Sequence, residues 1–206
     1  MRRIIASLGL ALFFCLTPAS QAASVWTLIA QKLTPSVYYL EALDKDGNVF
    51  GSCTGFAINQ AKGYFLTASH CDGEKVRIAG TASFKMFKDE RKDLMVLRAI
   101  NLDLGPAIKL AKTDPDIGTA VASIGYGFGL EQPMFRLGNI SHTRIEIEEL
   151  SGPFVMIDAN YVPGQSGGPV LNDQGELVSI VQRGAAGFGF GVGVDTIRDR
   201  VGRYFE

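Results

Sequence analysis

The sequence predicts an all-β protein of two antiparallel six-stranded β-barrels with a cleft between them, flanked by a short helix at each end. Two groups of short apolar runs, rich in Val, Ile, Tyr and Phe and punctuated by Gly, Asp and Asn, each hold six strand-length segments. A polar stretch with Pro and Gly, Asn101 to Gly118, separates the groups. Each group alone argues for an antiparallel barrel or sandwich, and two of similar size joined by one linker predict two barrels sharing a cleft.

Taken in order, Arg2 and Arg3 precede an apolar run from Ile4 to Leu16, then Pro18 and small residues ending Ser20-Gln21-Ala22-Ala23. This is the pattern of a Sec-type signal peptide, cut after Ala22. The run is short for a bilayer span, and no later segment offers a second one. The expected protein is therefore exported, periplasmic or secreted, with no stable membrane anchor, its folded domain covering 23–206. Val25, Trp26, Ile29, Ala30 and Leu33 follow at helical spacing, and Pro35 ends the pattern.

The first barrel, about 35–100, is expected to use strands over 37–42, 54–58, 64–67, 75–79, 84–87 and 94–98. The second, about 118–195, uses 119–124, 135–141, 154–158, 169–171, 176–182 and 188–194. A terminal helix, capped by Asp195 or Thr196, presents Ile197, Val201, Tyr204 and Phe205 on one face.

Composition narrows the function. With 20 Lys and Arg against 21 Asp and Glu and no basic block, a nucleic-acid partner has no support. Cys15 leaves with the signal segment. Cys53 and Cys71 remain, an even pair that in an oxidising compartment forms one disulfide contributing roughly 3 kcal/mol; two free buried thiols are the alternative. There is no His-x-x-x-His pair and no Lys-Ser/Thr after the glycines of Gly125-Tyr126-Gly127-Phe128-Gly129, so neither a metal nor a phosphate-bearing cofactor is expected.

The chemistry concentrates in Gly164-Gln165-Ser166-Gly167-Gly168-Pro169. Glycines let a backbone turn tightly and approach a ligand closely, and an activated serine needs preorganised N–H donors for the oxyanion it creates. The amides of Gly164 and Ser166 are the candidates. Alone, such a turn is also an ordinary surface loop; its company decides. A base is required, and the two histidines differ in context: His70 ends an apolar strand beside Cys71, whereas His142 lies in Ser141-His142-Thr143-Arg144 without chemical neighbours. For the carboxylate that orients the base, Asp93 starts the apolar run Leu94-Met95-Val96-Leu97. Asp89 and Glu90 read instead as a solvated charged turn, and Asp103 falls in the linker. The order His, Asp, Ser excludes the nucleophile elbow of α/β-hydrolases, where the histidine follows the serine.

These residues resemble the trypsin-like peptidases, and within them the HtrA or DegP-like branch. The likeness rests on Pro35-Ser36-Val37, Gly51-Ser52 with Gly55-Phe56, Gly63-Tyr64 leading to Leu66-Thr67 and His70, Asp93-Leu94, Ile124-Gly125 with Phe128-Gly129-Leu130, and Asp158-Ala159 ahead of Pro163-Gly164. The cysteine pair looks like the bridge beside the histidine in chymotrypsin-type enzymes. The resemblance implies a double-barrel serine endopeptidase with its active site in the cleft, His70, Asp93 and Ser166 as triad, and protein or peptide substrates. It also implies an extended substrate pairing with the edge at Gln182-Arg183-Gly184. A side-chain pocket is expected among Asn160, Tyr161, Val181 to Gly184 and Gly187 to Gly191, preferring small or medium apolar side chains. Three departures stand out: no PDZ domain up to Glu206, a short His70 to Asp93 interval, and Gln165 where Asp or Asn is common. An exported binding or chaperone-like module that keeps the fold without turnover is the alternative, and the pattern leaves the oligomeric state open.

Overall fold

The computed structural model of the protein describes residues 23–147 and 150–206. The expected signal peptide over 1–22, with Cys15, lies outside the described residues. Helix α1 (Val25–Leu33) starts where the Ser24 hydroxyl accepts the Thr27 N–H, and buries Ile29 and Leu33. Six strands follow, β1 (Val37–Leu43), β2 (Val49–Asn59), β3 (Tyr64–Thr67), β4 (Lys75–Ile78), β5 (Thr81–Asp89) and β6 (Leu94–Ala99), closing into a barrel in the order β1-β2-β3-β6-β5-β4. The next six are β7 (Ala120–Gly125), β8 (Met134–Ile147), β9 (Leu150–Ile157), β10 (Pro169–Leu171), β11 (Leu177–Ala185) and β12 (Phe188–Gly193). They close in the order β10-β11-β12-β9-β8-β7, with every neighbour antiparallel.

The unbroken apolar run of β6 follows from burial on both faces, since successive strand residues point to opposite sides. Met95 and Leu97 enter the core of the first barrel with Leu40, Phe65 and Ile78. Leu94 and Val96 join a second cluster with Phe56, Leu66, Ile124, Leu177 and Ile180, which welds the barrels together beneath α1 and the terminal helix. The second barrel fills its own interior with Val121, Ile140, Val155, Ile157, Val170 and Val178. Full burial of one such side chain is worth about 1.5–3 kcal/mol, so this cluster supplies much of the attraction between the barrels.

Three expectations change. Strand β2 begins at Val49, five residues before the expected start, because Gly51 and Ser52 interrupt the apolar alternation yet pair with Ala42 and Glu41. The linker is not merely polar: Ile108 is buried between the barrels and its N–H donates to the Ala57 carbonyl. The terminal helix α2 (Val194–Val201) is capped by Gly193, not by Asp195 or Thr196; β12 runs straight into it, and the linker's Asp114 carboxylate accepts the Asp195 N–H. No helix of the described residues is long and apolar enough to cross a membrane.

Candidate active site

His70 sits in a 3-10 turn, Ser69–Cys71, immediately after β3. A disulfide joins Cys71 to Cys53 on β2, fixing the C-terminal side of the histidine. On the next residue, Asp72 pairs with Lys85 at 2.9 Å and Lys88 at 3.0 Å and accepts the Gly73 N–H. Burial pushes the Asp72 carboxyl up, but these lysines and that N–H outweigh it and hold the group below the usual carboxylate range. The histidine is thus anchored by a covalent bond and by an ion-pair cluster.

Asp93 precedes β6 in the left-handed region, φ 52°. There its carboxylate gathers three donors: Oδ1 accepts the His70 N–H at 2.8 Å and the Ser69 hydroxyl at 3.0 Å, and Oδ2 lies 2.7 Å from His70 Nδ1. An ionised carboxylate only accepts, so the Nδ1 of a neutral His70 carries the proton and Nε2 is left with its lone pair. Asp89, expected in a solvated turn, is instead buried. It caps the turn through the Arg91 and Lys92 N–H groups and pairs with Arg200 of α2 at 2.6 Å. The run of charges concealed this role because its partner lies far along the chain.

The Ser166 loop is pressed against the other barrel. A side chain at Gly167 would collide with the Thr54 carbonyl and the Thr67 hydroxyl, and φ there is +82°, so only glycine fits. Gly164 is also left-handed, φ +95°. The N–H groups of Gly164 and Ser166 have no protein acceptor among the described residues. The Ser166 hydroxyl donates to the Gln182 carbonyl at 3.2 Å and makes no hydrogen bond to His70 in this state. Gln165 is turned inward, its Oε1 accepting the Val162 N–H at 3.0 Å, a buried setting that suits a neutral side chain better than a charged one.

Two contributors were not evident in the sequence. Thr54, fully buried on β2, donates its hydroxyl to the Gly164 carbonyl at 2.8 Å and accepts the Tyr126 N–H at 2.8 Å, while its own N–H donates to the Ser166 carbonyl at 2.8 Å. Its position beside Cys53 was the available signal. The other is the Gln182 side chain, whose Nε2 donates to the Lys92 carbonyl at 2.9 Å and the Asp93 carbonyl at 3.3 Å. That side chain is turned into the barrel interface, while the expected pairing with substrate concerns the main chain of this strand.

Beside Ser166 lies a small cavity of about 180 Å³ lined by Tyr161, Val162, Pro163, Val181 and the segment Gln182 to Gly184. Asn160 is exposed and does not line it. The Tyr161 ring fills the space that a side chain at Gly189 would need, and burial pushes its phenol well up. Pairing of β10 with β11 stops at Pro169 and Ile180, which leaves the β10-facing edge of Arg183 and Gly184 without a strand partner among the described residues. A cavity of about 540 Å³ around Asp114, Asp116 and Asp195 contains none of these residues. His142 lies on β8, where its Nδ1 accepts the Arg144 N–H. Cys53, Cys71 and His70 lie within 4.8 Å of one another, but the disulfide takes both sulfurs and leaves one imidazole, too little to hold a metal.

Two closed barrels with a serine loop pressed against a histidine turn define a chymotrypsin-like architecture. A model of the trypsin-like peptidase domain matches residues 53–180, and the chain belongs to that family. It is 33% identical over 161 residues to the "Probable periplasmic serine endoprotease DegP-like" of Pseudomonas fluorescens, covering 71% of this chain and 33% of that protein. Against "Protease Do-like 1, chloroplastic" of Arabidopsis thaliana the identity is 28% over 228 residues, covering 89% and 52%. The chain therefore spans a third to a half of the length of these relatives. Among solved structures, the serine endoprotease from Yersinia pestis superposes with a TM-score of 0.72 at 24% identity, covering 90% of this chain and 68% of that one.

Proposed function

We propose that the protein is an exported serine endopeptidase that cleaves peptide bonds through an acyl-enzyme, with Ser166 as nucleophile, His70 as general base and acid, and Asp93 orienting the histidine. The observation that carries this reading is the three-donor grip of Asp93 on the His70 turn, with the 2.7 Å contact to Nδ1 leaving Nε2 free to take a proton. The Ser166 hydroxyl is a rotor; turning it from the Gln182 carbonyl aims its proton at His70, and apo sites commonly tighten this contact only with substrate.

Ser166 Oγ then attacks the scissile carbonyl as its proton passes to His70 Nε2. The oxyanion is received by the N–H groups of Gly164 and Ser166, for which no acceptor among the described residues competes. His70 returns the proton to the leaving amine, and water repeats the sequence on the ester, releasing Ser166. The open edge at Arg183 and Gly184 pairs with an extended substrate. The Tyr161 ring limits the adjoining pocket to small apolar side chains.

Hydrolysis of casein or a fluorogenic peptide by the purified protein, beside Ser166→Ala, tests this, with fluorophosphonate labelling and mass spectrometry on both. Turnover and a label on Ser166, both lost in the variant, are expected. A folded, bridged protein with neither would instead be a binding module on a peptidase fold.

A further inference from the structure

We propose that Gln182 is a positioning residue of this site, setting the separation between nucleophile and base from the barrel opposite the base; this rests on the peptidase reading above. Gln182 belongs to β11 of the second barrel, whereas Asp93 and His70 belong to the first. Its main chain and its side chain act on different members of the site. The carbonyl accepts the Ser166 hydroxyl at 3.2 Å, while Nε2 reaches across the interface to the Lys92 and Asp93 carbonyls at 2.9 and 3.3 Å.

The target of that side chain is the strained point of the site. Asp93 is a left-handed residue without the freedom of glycine, a conformation that persists only where surrounding contacts impose it. Its side chain is spent on Ser69 and His70, so the hold on its backbone must come from elsewhere. Gln182 supplies it with both amide hydrogens. Lys92 is gripped a second time from the second barrel, where its ammonium donates to the Gly152 carbonyl at 2.6 Å. At 4% exposure, Gln182 is sealed in the interface with its Nε2 committed to these two carbonyls.

The Gln182→Met variant keeps length and volume but removes both donors, and Gln182→Thr is too short to reach Lys92. Both are expected to lower kcat about 10- to 100-fold, the scale on which misplacement of catalytic groups acts, with KM within about twofold of the parent. The rate of fluorophosphonate labelling should fall in parallel, in proteins whose thermal unfolding shows a single folded state. Unchanged kcat and labelling in either folded variant would overturn the assignment. A raised KM at constant kcat would also overturn it and return Gln182 to the substrate edge. A folded parent protein with neither turnover nor labelling defeats the peptidase reading itself, and is told apart because in the other cases the parent is active.

Discussion

Replacing Thr54 with valine tests whether the oxyanion loop is held from the neighbouring barrel. The two side chains are nearly isosteric, so the change removes a hydroxyl and leaves the packing. Two partners are orphaned, the buried Gly164 carbonyl and the half-buried Tyr126 N–H, both at 2.8 Å in the parent. A buried group left without its partner costs about 1–3 kcal/mol, so two give about 2–4 kcal/mol after partial relaxation. The catalytic effect is separate. Gly164 offers the N–H proposed for the oxyanion, and loss of one such donor costs about 10²–10³ in kcat. Loosening rather than removing it places Thr54→Val at a kcat about 10- to 100-fold down. Urea unfolding gives the first quantity, and initial rates on a fluorogenic peptide, at a temperature where the variant is fully folded, give the second. Thr54→Ser, which retains the hydroxyl, should keep most of the activity. A valine variant destabilised as calculated but with parental kcat would refute the link between this hydroxyl and the oxyanion loop, and a serine variant as impaired as the valine would assign the effect to the lost methyl.

Asp93→Asn should lower turnover by about 10⁴ with little loss of stability, because the amide sets the wrong tautomer on His70; near-normal kcat would remove Asp93 from the triad. Tyr161→Ala should raise kcat/KM for peptides with Phe before the scissile bond relative to Ala, at a cost of about 3–5 kcal/mol in stability for the emptied ring volume. An unchanged preference would show that the pocket floor lies elsewhere. For Asp89, burial pushes the carboxyl up, but the Lys92 and Arg91 N–H groups and the Arg200 guanidinium outweigh it and hold the group below its usual value. A depressed folded-state value contributes stability that is full above the unfolded value of about 3.9 and fades as pH drops through the lower folded one. Asp89→Asn should therefore destabilise the protein at neutral pH and flatten its acid unfolding below about pH 4; parallel curves for the two proteins would contradict this.

The barrels were legible because their signals are local. Alternation and turn residues located all twelve strands, most bounds within about three positions but the start of β2 and the end of β8 five and six residues off, and the glycines around Ser166 announced a tight loop. Errors fell where a distant partner decides. Asp89 sits among four charged neighbours and reads as solvated, yet its partner is Arg200, 111 residues on. Gln182 reads as part of the main-chain edge of its strand, and nothing local announces that its side-chain amide finds carbonyls 90 and 89 residues upstream. Asn160 and Tyr161 adjoin in sequence, and only the packing of the ring on Gly189 decides which one lines the cavity.

Those long-range polar contacts share a physical role. The apolar cluster between the barrels supplies most of the attraction, but hydrophobic burial is non-directional and tolerates sliding of one barrel against the other. Hydrogen bonds are directional: each weakens outside a narrow range of distance and angle. Thr54 ties the first barrel to Gly164, Tyr126 and Ser166 of the second, and Gln182 and Gly152 tie the second to the Lys92 and Asp93 turn of the first. The proposed nucleophile belongs to one barrel and the proposed base to the other. The distance between them is therefore a property of the interface, and these buried cross-links are what convert an apolar weld into a fixed register.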